Sequence, residues 1–160
     1  MNSIPQQLLL QVILILINAF FAMTEIAVIS LNAGRLRMLA DEGDRTAPRL
    51  LKLVEEPSGF LSTIQIAITL AGFLSSAFAA DNFAGYLVDW VYDGLGFQAL
   101  SRSALNTLAV IAITLILSYF TLVLGELTPK RIAMQKPLQV ARISCGVVMA
   151  IARALRPVVW

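Results

Sequence analysis

Residues 104–131 read ALNTLAVIAITLILSYFTLVLGELTPKR, an uncharged run from Ala104 to Gly125 that ends in Glu126, Pro129, Lys130 and Arg131. A helix needs roughly 20 apolar residues to cross the hydrocarbon of a bilayer, and this run is long enough. Two other segments qualify. Residues 60–80 are uncharged, and residues 4–31 are apolar apart from Gln6, Gln7, Gln11, Asn18, Thr24, Glu25 and Ser30. The chain is therefore expected to be an all-α membrane protein, with three transmembrane helices at about 4–31, 60–80 and 104–125.

Composition agrees. Of the 160 residues, 58% are hydrophobic and 14% charged, too apolar for an ordinary soluble domain. The net charge of +2 is too small to point to nucleic acid. Histidine is absent and Cys145 is the single cysteine, so a disulfide framework is excluded and any bound metal should be a hard one held by oxygen. The N-terminal run lacks a basic region before it and a small-residue cleavage site after it, and reads as a retained span.

Eleven of the twelve basic residues fall on one side of the three spans: Arg35, Arg37, Arg45, Arg49 and Lys52 in the loop 32–59, and Lys130, Arg131, Lys136, Arg142, Arg153 and Arg156 in the tail. Residues 81–103 hold only Arg102 against Asp81, Asp89 and Asp93. The positive-inside rule puts the N-terminus outside and the C-terminus in the cytoplasm, in a multi-pass protein of the cell's inner (plasma) membrane. The loop 32–59 reads as short helices broken at Gly43, Pro48 and Pro57, docking through Leu50, Leu51, Leu53 and Val54. The outer loop 81–103 carries Tyr86, Trp90, Tyr92 and Phe97 as interfacial anchors.

The tail is expected to form a helix over about 137–158. Gln139, Arg142, Gly146, Arg153 and Arg156 occupy one arc of it and aliphatic residues the rest. Arginine near the bilayer centre costs roughly 2.5–3.5 kcal/mol, so an amphipathic juxtamembrane helix on the cytoplasmic surface is expected in preference to a tilted fourth span.

Polar residues then mark a candidate site. Ser62, Gln65, Thr69, Gly72 and Ser76 share one face of span two, and Thr107, Thr114, Ser118, Thr121 and Gly125 one face of span three. Such stripes serve close helix packing or line a path. Carboxylates in or near a membrane are functional hypotheses by default, and there are two, Glu25 and Glu126. Glu25 follows Thr24 and shares a face with Asn18; it either reaches the interface or joins a site. Near Glu126, Pro129 has no N–H to give to the Gly125 carbonyl, which leaves a free oxygen beside the carboxylate. Gly125 leaves room for an ion or a neighbouring helix. The plainer reading is a helix end with Glu126 and Lys130 as an i, i+4 ion pair. Oxygen ligands of this kind suit Mg²⁺, Na⁺, Ca²⁺ or Mn²⁺.

Three stretches, residues 18–27 (NAFFAMTEIA), 60–72 (FLSTIQIAITLAG) and 125–130 (GELTPK), resemble the three signatures of the cyclin M and CorC transmembrane domain, in order and spacing over nearly the whole chain. The resemblance implies a three-span homodimer with a juxtamembrane helix that exports Mg²⁺, in at least some members in exchange for Na⁺. It also implies that a cytoplasmic CBS-domain pair follows in full-length relatives; residues 1–160 would then be a single transmembrane domain, part of a longer protein. Carried over residue by residue, the acid of the third motif is Glu126, with Gly125 as carbonyl donor and Lys130 as a nearby cation. Thr24 stands for a usual serine, and Glu25 matches the acid of the first motif. Ala22 replaces a second serine, and span two lacks the asparagines of eukaryotic members, which leaves Gln65, Thr69 and Gly72 as its candidates.

The expected function is Mg²⁺ transport, with Mg²⁺ the cargo and Na⁺ the coupling ion. Glu126, Gly125, Thr24, Thr69, Gln65 and Gly72 are the expected ligands; Glu25, Asn18, Ser62, Ser118, Thr121, Pro129 and Lys130 support or line the cavity. Membrane lipid is the expected surrounding, and no nucleic acid is expected as partner. The alternative is a sensor or membrane anchor for the CBS domains that moves no ion. An enzyme is not expected, since the chain has no Ser–His pair, no aspartyl dyad within a span and no phosphate-cradling glycine loop.

Overall fold

In the computed structural model, residues 4–96 and 98–159 are described, without the side chains of Asp81, Arg156 and Val159; Phe97 and Trp160 lie outside the described residues. Among the described residues seven α-helices follow one another: α1 (Ile4–Ile29), α2 (Ala33–Asp41), α3 (Ala47–Glu55), α4 (Ser58–Asp89), α5 (Arg102–Leu122), α6 (Thr128–Gln135) and α7 (Pro137–Val159). Two π-helical turns, Trp90–Gly94 and Val123–Leu127, extend α4 and join α5 to α6. No strand occurs among the described residues.

Local chemistry sets the boundaries. The Asn32 side chain accepts the Arg35 N–H at 3.1 Å and starts α2. Gly43, at φ +94°, turns the chain after it, a conformation that L side chains rarely adopt. Asp44 Oδ1 then accepts the Thr46 N–H at 2.8 Å, the Thr46 hydroxyl at 2.7 Å and the Ala47 N–H at 3.2 Å, capping α3 from outside. Pro48 sits in the first turn of α3, where its missing N–H has no helical acceptor, so it begins that helix and does not break one. Ser101 caps α5 through the Ala104 N–H.

The core lies at the basic end of the bundle. Phe21, Val28, Leu36, Leu50, Phe60, Ile64, Ala133 and Val148 are buried together where α1, α2, α3, α4, α6 and α7 meet, and Leu51, Leu53 and Val54 pack against them as expected of the docking face. At the other end a smaller cluster, Ala84, Val88, Leu105 and Ala109, joins α4 to α5. Gln11 meets Ser75 and Gln7 meets Asn82, so α1 and α4 run antiparallel. Asn18 meets Gly125 and Glu25 meets Lys130, so α1 runs parallel to the α5–α6 rod.

Two expectations are corrected. Among the described residues four helices, not three, are long and apolar enough to cross a membrane: Ile4–Ile29, Ser58–Gly94, Arg102–Gln135 and Pro137–Leu155. The last qualifies because its 19 residues hold only Arg142 and Arg153. Its surface divides into three sectors. Ala141, Ser144, Cys145 and Val148 are buried against the bundle, Ile143 and Val147 are exposed and apolar, and Gln139, Arg142, Gly146 and Arg153 form the exposed polar arc.

The second correction concerns residues 81–103. They are not an outer loop throughout, because α4 continues to Asp89 and its π-turn to Gly94. Acidic residues ended the apolar run, but a helix need not stop where the hydrocarbon does. Arg102 pairs with Asp89 and, at 3.1 Å, with Asp93, and its guanidinium lies over the Tyr92 ring. Tyr86 and Trp90 stand exposed on the extension.

Candidate functional site

The site begins with Pro129. It lies at the start of α6, directly after the π-turn, where the Thr128 N–H bonds to the Val123 carbonyl five residues back. Wide turns of this kind mark functional positions in helices. The Gly125 carbonyl, which a helical residue 129 other than proline would bond, instead accepts the Asn18 side-chain amide at 3.0 Å. Glycine makes the contact possible. A Cβ at 125 would lie 3.2 Å from Asn18 Nδ2 and 3.4 Å from the Ile15 carbonyl oxygen.

Asn18 is 3% exposed, and its Oδ1 has no hydrogen-bond partner among the described residues. A buried acceptor left unpaired costs about 1–3 kcal/mol, which a hard cation or a water would relieve. Two helical turns further along α1, Glu25 Oε2 lies 3.2 Å from Lys130 Nζ, and Glu126 Oε1 lies 3.0 Å from the same nitrogen. The exposures are 21% for Glu25, 35% for Glu126 and 26% for Lys130, so the cluster opens partly to water. With all three ionised it carries one net negative charge. Among the described residues no group of three or more carboxylate, histidine or cysteine side chains gathers, so two carboxylates plus amide and carbonyl oxygens are the hard donors available.

The structure thus makes two contacts between α1 and the break, Glu25 and Glu126 on Lys130 and, about two turns back along α1, Asn18 on the Gly125 carbonyl; Pro129 is buried. Thr24 is wholly buried and donates its hydroxyl to the Phe20 carbonyl at 2.7 Å. The span-two residues stand apart. Ser62, Gln65 and Thr69 are exposed, Gly72 is half-buried with open space where a Cβ would go, and among the described residues no hydrogen bond or ion pair joins them to Glu126. On span three Ser118 is exposed and Thr121 half-buried.

Sequence reasoning passed over a second set. Gln11 Nε2 donates to the Ser75 carbonyl at 2.8 Å while the Ser75 hydroxyl donates to Gln11 Oε1 at 2.6 Å. One turn away Gln7 Nε2 donates to Asn82 Oδ1 at 3.1 Å. Gln7, Gln11, Asn18 and Glu25 all fall within about 40° of one another around α1. That alignment was the available signal, masked because the residues look like scattered interruptions of an apolar run.

Fold and site together define a multi-pass helical membrane domain with a carboxylate pair set against a broken helix. The chain belongs to the family described as the cyclin M transmembrane N-terminal domain, which matches residues 9–160. It is 35% identical over 162 residues to the UPF0053 protein sll0260 of Synechocystis, covering 99% of this chain and 35% of that protein. A protein of Haemophilus influenzae named polyamine export protein is 29% identical, covering 93% of this chain and 33% of its own length. The UPF0053 inner membrane protein YfjD of Escherichia coli is also 29% identical, covering 90% and 29%. The chain therefore spans about a third of the length of these curated relatives.

Proposed function

We propose that this chain is the membrane-spanning part of a Mg²⁺ exporter of the inner (plasma) membrane, with Na⁺ as coupling ion, working as a homodimer beneath a cytoplasmic CBS-domain pair and carrying out no catalysis. The observation that carries this reading is the convergence of Glu25 and Glu126, from separate helices, on one point, with the Gly125 carbonyl and the unpartnered Asn18 Oδ1 about two turns back along α1. These are hard oxygen donors in a chain without histidine, and Mg²⁺ is held by one or two carboxylates together with waters and neutral oxygens. Thr24 stands within the same stretch of α1, while Gln65, Thr69 and Gly72 stand apart from it on α4. The bias of basic residues supports a cytoplasmic C-terminus.

The test is Mg²⁺ flux in proteoliposomes under imposed Na⁺ gradients. Glu126→Gln should abolish flux while the protein elutes and melts as a folded species. Undiminished flux in that variant would remove Glu126 from the site. Mg²⁺ binding with no flux under any gradient would favour the anchor or sensor.

A second reading has its own support. An ammonium group, that of Lys130, already sits between the two carboxylates, and one relative is named a polyamine export protein. A polyamine presents the same primary ammonium. Putrescine flux in place of Mg²⁺ flux, in the same liposomes, would assign the cargo to that class.

A further inference from the structure

Lys130 is the cation that Glu25 and Glu126 hold. No other basic side chain pairs with either carboxylate among the described residues. The ammonium lies about equally far from both, at 3.2 and 3.0 Å, and so occupies the space in which an incoming cation would find both carboxylates at once. Cargo and lysine compete for one pair of charges. Counting formal charge, Glu25, Glu126 and Lys130 together carry −1; a divalent cation added to all three brings the cluster to +1, whereas the same cation in place of the lysine brings it to zero. Two cations within a few ångströms in a partly dehydrated site repel strongly, because the effective dielectric there is far below that of water.

The lysine can move where a backbone ligand could not. Its charge rides on a flexible four-carbon stem, and the group is 26% exposed, so water is within reach of the ammonium. It also stands in the first turn of α6, close after the π-turn, on the same stretch that presents Gly125 and Glu126. A change in that turn moves the carboxylate and the lysine together.

We propose that Lys130 is a tethered counter-cation that alternates with the cargo: it leaves the Glu25–Glu126 pair when the transported cation enters and returns to it when the cation departs. The inference rests on the cation-export reading above and adds the device that empties the site. Without the lysine, a divalent cation faces two carboxylates with nothing to displace it, so it binds more tightly and leaves more slowly. With the lysine, binding is weaker and release faster, as a transporter requires.

A plain structural clamp between α1 and α6 makes a different forecast. Losing a clamp loosens the bundle and leaves cation affinity unchanged or poorer.

The experiment measures Mg²⁺ binding by titration calorimetry and Mg²⁺ flux in proteoliposomes for the wild-type protein, Lys130→Met, Lys130→Arg and Lys130→Ala, with Glu126→Gln as the binding-deficient reference. Lys130→Met should bind Mg²⁺ about tenfold more tightly or better, by the loss of one competing charge at short range, while turning over more slowly. Lys130→Arg should keep near wild-type affinity. In Lys130→Ala, added methylammonium should weaken Mg²⁺ binding and restore turnover, because it refills the vacated position with the same charge. That rescue also serves if the methionine variant fails to fold. Unchanged or weaker Mg²⁺ affinity in Lys130→Met, or no effect of methylammonium on Lys130→Ala, overturns the inference alone. A wild-type protein that neither binds nor moves Mg²⁺ overturns the reading beneath it.

Discussion

Two polar faces run along the spans of this molecule, and the protein treats them in opposite ways. On α1, Gln7, Gln11, Asn18 and Glu25 are turned inward and engage Asn82, Ser75, Gly125 and Lys130 in turn. On α4, Ser62, Gln65 and Thr69 are turned outward, on a face about 120° from the one that packs against α1. The α4 stripe is the more regular of the two in sequence, yet it is the α1 face that bonds across to other helices. Buried amides in a membrane must be matched across an interface, whereas small polar groups on an outer face carry no such obligation within the chain.

The contrast is sharpest at Gly125. Gly125→Leu should be the most disruptive change, because even a Cβ would press on Asn18 and on the Ile15 backbone. A loss of about 3 kcal/mol or more is expected, seen as failure to recover a monodisperse protein in detergent. Folded, monodisperse material would show that α1 and the π-turn can part without penalty.

Asn18→Leu should come next. It removes one hydrogen bond and the unpartnered Asn18 oxygen but leaves the Gly125 carbonyl without a partner, so one orphaned acceptor replaces another and the net cost is about that of the lost bond. The net effect on the melting midpoint should stay within about 1–2 kcal/mol, while Mg²⁺ binding by calorimetry falls. Unchanged binding would separate the amide from the site.

The Gln11–Ser75 pair should show a coupling energy of about 0.6–1.7 kcal/mol in a double-mutant cycle of Gln11→Leu and Ser75→Ala, measured by unfolding in micelles. Strict additivity would reduce the α1 face to coincidence. Thr69→Val, on the outer face, should shift the stability of the single chain by less than about 0.5 kcal/mol. A large shift there would mean that α4 is covered in the assembled protein.

A last and smaller effect lies outside the spans. Hydrogen bonds from the Thr46 hydroxyl and backbone, and to a smaller degree from the Ala47 N–H and the charge of the paired Arg142 guanidinium, hold the Asp44 carboxyl below the usual carboxylate range. A lowered folded-state value means that the stabilisation is present above the ordinary titration of a carboxylate and lost as pH falls through the folded value. Thermal melting below about pH 4 should therefore fall more steeply for the wild type than for Asp44→Asn. Parallel curves would show that the turn between α2 and α3 does not depend on this charge.

Much of this was legible in residue order. Uncharged runs located the spans because charge in hydrocarbon is expensive, and Pro129 located the break because a missing N–H has only one consequence for the carbonyl it would have met. What the pattern could not say was which partner takes the freed carbonyl. Asn18 is 107 residues away along the chain, and periodicity carries no information across that separation. The same limit explains Glu25: its two readings, interface or site, differ only in whether α6 brings Lys130 alongside. The C-terminal end of α4 was misjudged for another reason, since acidic residues end an apolar run without ending a helix.

That end of α4 has a practical use. At 1.5 Å per residue, the 32 residues of α4 extend about 48 Å, well beyond a hydrocarbon layer of roughly 30 Å. Tilt within the usual range takes up only part of the excess. In a bilayer of that thickness the remaining length of rod should stand clear of the lipid, graduated by residue number like the stem of a depth gauge. Since the one native thiol, Cys145, is buried, single cysteines introduced along residues 82–94 would report, by their labelling with an impermeant reagent, where the water begins and on which side of the membrane it lies.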